Sequence, residues 1–179
     1  MMDITFVTQS LSKVVEAERI LGVKLKHHSL DLPEIQAVDV EEVITHKAKY
    51  AYETLGEKPV MVEDTGLFIE AWNGLPGALI KWFVKYVGNA GICKMLNGYA
   101  TRQASATTVV AIYDGQIQLF TGKVQGQIAS APTGDEGFGW DKIFIPDGAI
   151  KTFAEMTPGE KDRYSMRRLA FEAMLAHYS

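Results

Sequence analysis

Two strand-length runs, Gln103 to Tyr113 and Gln116 to about Ala129, meet at Asp114-Gly115. Asp-Gly accepts the positive φ angles of a tight hairpin turn, so the pair predicts a long antiparallel ribbon. A lone ribbon is marginal in water and needs further strands or helices to cover it. The first third of the chain offers them in alternation. Ile4 to Thr8 predicts a short buried strand. Ser12 to Leu21 predicts a helix with Val14, Val15, Ala17, Ile20 and Leu21 as its apolar face and Gly22 as its stop. Lys24 to Ser29 predicts a second strand, Val40 to Leu55 a helix closed by Gly56, and Pro59 to Glu63 a third strand. That third run is apolar enough for burial on both faces. Asp31-Leu32-Pro33-Glu34 reads as a loop, because proline pushes Leu32 out of helical space.

Beyond Glu63 the pattern is less regular. Leu67 to Ala71 reads as a strand, Asn73 to Gly77 as a turn-rich loop, and Ala78 to Val87 and Ala90 to Leu96 as short helices. After the hairpin, Ala131 to Gly139 is a loop. Thr157-Pro158-Gly159-Glu160 then matches a capping box with proline at the first helical position, and Ser165 can cap a second helix running to His177. The predicted class is α/β: a mixed sheet with flanking helices, not an unbroken doubly wound one. At 179 residues the chain is a single domain, 1–179, able to bury roughly 70% of its unfolded surface without a disulfide or metal staple.

A formal net charge of -4 argues against gripping a nucleic-acid backbone or an anionic membrane, but not against one small polyanion in a basic pocket. Cys93 is the only cysteine, which excludes an intrachain disulfide and a cysteine-based zinc site. The N-terminal residues do not read as a signal peptide, and Lys81 and Lys85 interrupt the longest apolar stretch. The expected compartment is the cytoplasm.

Four segments carry candidate chemistry. Thr8-Gln9-Ser10-Leu11-Ser12-Lys13 lies at a strand-to-helix junction, where amides, hydroxyls and one ammonium can hold an anion; alternatively Ser10 or Ser12 only caps the helix. Val62-Glu63-Asp64-Thr65-Gly66 puts two acids at the end of a buried strand, costly unless they hold a cation or a substrate proton, or cap the next turn. Gly137-Phe138-Gly139-Trp140-Asp141 offers an aromatic and an acceptor to a heterocyclic base, or else a plug under a loop. Lys161 and Arg167, with Arg168 beside them, are ligand cations or a solvated face. The first two converge only if the helix breaks near Ser165, since residues six apart do not share a helix face.

In this order, and with Asp31 to Glu34, Gly74 to Gly77, Thr152 to Met156 and Glu160 to Arg167, these segments resemble the inosine triphosphate pyrophosphatase family nearly end to end. The resemblance implies a two-lobed, Maf-related α/β fold with a cleft between the lobes, usually a homodimer, that needs magnesium, with manganese as a possible substitute. Its implied reaction converts deaminated purine nucleoside triphosphates (ITP, dITP, XTP) to the monophosphate and pyrophosphate, cleansing the nucleotide pool. Carried over residue by residue, it implies that Thr8, Gln9, Ser10, Lys13 and Lys47 meet the phosphates, with Thr65 beside the catalytic Asp64. Glu34, Glu63 and Asp64 become the metal ligands. Phe138, Gly139, Trp140 and Asp141, with Lys161 and Arg167, would form the base end.

The pattern also departs from the family. Gln9 stands where glycine is usual, Ser10 for asparagine, Lys142 for proline and Met166 for histidine. Methionine cannot donate a hydrogen bond, so the expected preference for 6-oxo purines is weakened there but still carried by Arg167. Two other readings stand beside the enzyme: a catalytically idle nucleotide-binding relative, and a Maf-type pyrophosphatase acting on other nucleotides. The segment Phe138 to Asp141 speaks against the second.

Overall fold

A computed structural model describes residues 4–178. The chain runs β1 (Thr5–Val7), α1 (Leu11–Leu21), β2 (Lys26–His28), α2 (Val40–Thr54) and β3 (Val60–Ile69). After a 3-10 turn at Glu70–Trp72 come β4 (Pro76–Gly77), α3 (Ile80–Tyr86) and α4 (Gly88–Met95). The hairpin β5 (Gln103–Tyr113) and β6 (Ile117–Ile128) is followed by β7 (Phe144–Pro146), a 3-10 turn at Phe153–Glu155, α5 (Pro158–Asp162) and α6 (Met166–Tyr178). The seven strands form one mixed sheet in the order β2-β1-β3-β5-β6-β7, with β4 paired to β3 beside that path. β1 is parallel to β2 and β3, and the other pairings are antiparallel. No helix among the described residues is long and apolar enough to cross a membrane.

Strand alternation sorts the core. Met61, Val110 and Ile112 join Phe6 under α1 and α6, where Ala17, Ala170 and Phe171 are buried. Val60, Val62, Val109 and Ala111 point the other way, onto Ile44, Ala48 and Ala51 of α2. Farther along the same strands, Leu67, Ile69, Ala104 and Ala106 enter a third cluster with Ile92, Phe144 and Phe153. On the face covered by α1 and α6, the long strands β3 and β5 therefore run from that layer into the third cluster.

Pro59 to Glu63 and Leu67 to Ala71, expected as separate strands, are one. β5 offers β3 an unbroken partner from Val60↔Tyr113 to Ile69↔Ala104, so Glu63 and Asp64 lie within a strand and not at its end. Gly66 permits this continuity, because a Cβ there would come 2.6 Å from Val40 and 2.8 Å from Phe68. The apolar face expected for α1 is also corrected. Val15 is 64% exposed, and Glu16 is buried in its stead. β4 and β7 are too short to show a period of two, which is why pattern reading passed over them.

Gly122 sets how closely β6 approaches α6: a Cβ there would meet the Met166 carbonyl oxygen and lie 2.6 Å from the Ala170 amide nitrogen. Gly122→Ala should therefore push α6 off the sheet and cost about 1–3 kcal/mol. The urea midpoint is the measurement, and a midpoint equal to the parent's would show that this contact yields freely.

Candidate active site

The start of α1 builds one wall of a cavity of about 380 Å³. Ser10 is the extended N-cap, its hydroxyl accepting from the Lys13 amide at 3.3 Å, while Thr8 Oγ1 accepts from the Ser10 amide at 3.1 Å. The hydroxyls that could meet an anion thus also shape their own loop. His27 on β2 supports it from behind, with Nε2 2.7 Å from the Thr8 carbonyl oxygen. Gln9 is exposed at the cavity rim. The Lys13 ammonium reaches across to β3, donating to the Glu63 carbonyl at 3.1 Å and lying 3.4 Å from its carboxylate.

The next wall is acidic. The buried Lys47 of α2 places Nζ 2.7 Å from Glu34 Oε1 and 2.6 Å from Asp64 Oδ2. Lys81 of α3 holds the other Glu34 oxygen at 3.0 Å, and Asp64 Oδ1 accepts from the Thr65 amide at 2.8 Å. Burial works to raise the Glu34 pKa, but the Lys47 and Lys81 ammonium groups outweigh it and lower it. Burial would lower that of Lys47, which the Asp64 and Glu34 carboxylates instead raise. Two carboxylates therefore converge on one cationic point.

Glu63 goes elsewhere. As its neighbour Asp64 faces α2, Glu63 faces α1 and α6, fully enclosed. Its oxygens accept from Arg167 Nε at 2.8 Å and Nη2 at 3.0 Å, and Thr65 Oγ1 adds a bond at 3.1 Å. Burial would raise its pKa, yet the Arg167 and Lys13 charges bring it down to about 2. Of the three expected metal ligands, Glu34 and Asp64 are brought together and Glu63 is held apart from them. Among the described residues no group of three acidic, histidine or cysteine side chains gathers for a metal ion. Two converging hard oxygen donors still fit a magnesium ion that keeps waters and substrate oxygens as its other ligands.

The aromatic end closes the cavity. Phe138, between Gly137 and Gly139, has Lys161 Nζ 5.2 Å and Arg167 Cζ 5.4 Å from its ring centroid. Asp141 is buried, accepting from the Phe138 amide and from Lys161 Nζ, both at 2.9 Å. Trp140 is buried edge-on against Phe144. Lys161 and Arg167 converge as expected, because the chain turns between α5 and α6 and the Ser165 hydroxyl accepts from the Arg168 amide. They are not solvated: both pair with the buried Glu16. Arg168 instead pairs with Glu172 on the surface. Met166 lines the cavity and also packs in the core with Trp140 and Phe144, at 2% exposure.

The expected site residues line one cavity except Lys161, which lines a neighbouring one with Glu16 and Phe138. Sequence reasoning missed Glu16, Lys81 and His27. The flanking Val14 and Ala17 of α1 were a signal for Glu16, since an acid between buried apolar positions demands a cation. Lys81 was read only as an interruption of an apolar run.

The Ham1 family profile matches residues 4–177. A dITP/XTP pyrophosphatase of Methanopyrus kandleri is 42% identical to the chain, with 99% of this chain and 96% of that protein covered. Inosine triphosphate pyrophosphatase 1 of Trypanosoma cruzi is 43% identical, with 98% of this chain and 91% of that protein covered. Among solved structures, a Ham1 protein of Coxiella burnetii matches with a TM-score of 0.82 at 28% identity, covering 100% of both chains.

Removing the guanidinium while leaving its acids should be costly. Arg167→Met leaves Glu63 and Glu16 buried without their main partner, at about 3–5 kcal/mol. Adding Glu63→Gln removes one stranded charge and should restore part of that loss in urea unfolding. A double variant no more stable than Arg167→Met alone would contradict this account of the network.

Proposed function

The chain belongs to the Ham1 family, and from that premise we propose that it hydrolyses deaminated purine nucleoside triphosphates to monophosphate and pyrophosphate. The observation that carries this reading is one cavity lined by the Thr8 to Lys13 loop, the Glu34 and Asp64 carboxylates, and the Phe138 and Arg167 base end. The names of its relatives, dITP/XTP pyrophosphatase and inosine triphosphate pyrophosphatase, support the substrate class.

Each end has a distinct task. Lys13, Lys47 and Lys81 hold the triphosphate by charge, and the amides at the start of α1 add partial positive charge. Glu34 and Asp64 would hold magnesium, with manganese as substitute, and the chemistry such an ion supplies is neutralisation of triphosphate charge. Asp64, fixed by Lys47 and the Thr65 amide, orients a water and accepts its proton as the anhydride between the α and β phosphates opens. Phe138 stacks on the base. Arg167 is a donor only, so it pairs with the 6-carbonyl of hypoxanthine or xanthine and opposes the amino group of adenine. Lys161, paired with Asp141 and Glu16, supports that end from outside the cavity lining. In the cell the reaction would cleanse the cytoplasmic nucleotide pool. A homodimer belongs to the same reading, and a lone 19.8 kDa species in sedimentation equilibrium counts against it.

Incubated with inosine triphosphate and magnesium, the protein should release pyrophosphate, and activity should vanish in chelator. Orthophosphate as first product, or full activity in chelator, would falsify the proposal. Asp64→Asn should lower turnover by at least about a hundredfold while nucleotide binding, read by calorimetry, changes little. Near-parental turnover in that variant removes Asp64 from its role.

A further inference from the structure

We propose that Glu63 is a positioning residue for base selection, acting through Arg167, and not a ligand of the metal. The inference rests on the nucleotide reading above and deepens it at one residue. Its ground is the way the donors of one guanidinium are allotted. Arg167 spends Nε–H on Glu63 Oε2 and an Nη2 hydrogen on Glu63 Oε1. An Nη1 hydrogen goes to Glu16 Oε2. One hydrogen is left on each terminal nitrogen. Arg167 is 2% exposed, yet it lines the cavity beside Phe138, so those remaining hydrogens are what it has to offer a base.

A guanidinium on a flexible stem discriminates poorly unless its plane is fixed. The bidentate pairing with Glu63 fixes that plane, because two parallel bonds leave it no rotation about its own axis. The carboxylate is itself immobile: it sits on the central strand β3, is fully enclosed, and accepts from Thr65 Oγ1, which in turn contacts Thr108 Oγ1 on β5 at 3.1 Å. With its oxygens committed to Arg167, Thr65 and Lys13, Glu63 stands apart from the Glu34 and Asp64 pair that converges on Lys47.

The test compares kcat/KM for inosine and adenosine triphosphate in Glu63→Gln and in the parent. A glutamine presents one acceptor and one N–H group to two donors, so the paired geometry is broken. The ratio of inosine to adenosine triphosphate should fall by about tenfold or more, the scale of one misdirected hydrogen bond. The magnesium concentration for half-maximal rate should stay at the parental value. A purely structural defect lowers the active fraction for both nucleotides alike and cancels in the ratio. Lys13, also touched by Glu63, meets phosphates common to both and cancels as well. In an Arg167→Lys background, adding Glu63→Gln should change the ratio no further, since the group it orients is gone.

Should Glu63→Gln not fold, Glu63→Asp keeps the charge, shortens the reach to Arg167 and should lower the ratio by a smaller factor. An unchanged ratio in the folded variant, or a magnesium requirement raised severalfold with the ratio kept, overturns the inference. A parent that releases no pyrophosphate from inosine triphosphate overturns the proposed function and the inference with it. An active parent with an unaltered ratio overturns the inference alone.

Discussion

The ion pair between Glu63 and Arg167 joins the middle of the sheet to the last helix, with both side chains almost wholly removed from water. Charges are costly to bury, and this pair persists because each partner is held further: the Glu63 carboxylate also meets Lys13 and Thr65, and the Arg167 guanidinium also meets Glu16. Through these partners α1, β3 and α6 become mutually dependent. The Thr8 to Lys13 loop opens α1, Asp64 sits on β3, and Arg167 sits on α6. A shift in any one of them unpairs a buried charge, so the arrangement resists the small displacements that a catalytic cavity tolerates poorly.

Adjacent acids on one strand thereby receive opposite assignments. Side-chain alternation sends Asp64 to the α2 face, where Lys47 and a half-open cavity await it, and Glu63 to the face closed by α1 and α6. The sequence pair Glu63-Asp64 is symmetric in chemistry; the two faces of the sheet are not. What separates an acid left beside the cavity from one enclosed with a guanidinium is the cover each face provides.

The same asymmetry explains what could be read from the chain and what could not. Turn and cap chemistry was legible because it is local. The hairpin turns at Asp114-Gly115, though Gln116 belongs to the turn and only Gly115 takes a positive φ there. The Thr157 to Glu160 capping box and Ser165 lie where their residue types require. So were the segments around the cavity, since each carries its own short pattern. The partners within the buried network were not. Arg167 reaches Glu16 and Glu63 across separations of 151 and 104 residues, and no local period announces such a meeting. Glu16 was hidden further because Val15 beside it suggested an apolar face that the fold leaves exposed. β3 was divided in two because Glu63, Asp64 and Gly66 look like a strand's end until β5 is laid beside them.

The turn between α5 and α6 shows how local signals set up this distant chemistry. In one continuous helix, Lys161 and Arg167 would point roughly 120° apart. They could not then both meet Glu16. The chain instead ends α5 at Asp162 and restarts at Met166 with Ser165 capping it, so that each cation approaches Glu16 from its own helix. Capping supplies the exposed amides of the new helix start with a partner, which makes the break cheap, on the order of the cap's own ~1 kcal/mol. The convergence it permits governs a network whose disruption costs several times more. A short polar residue between two helices thus decides whether two buried cations share an acid.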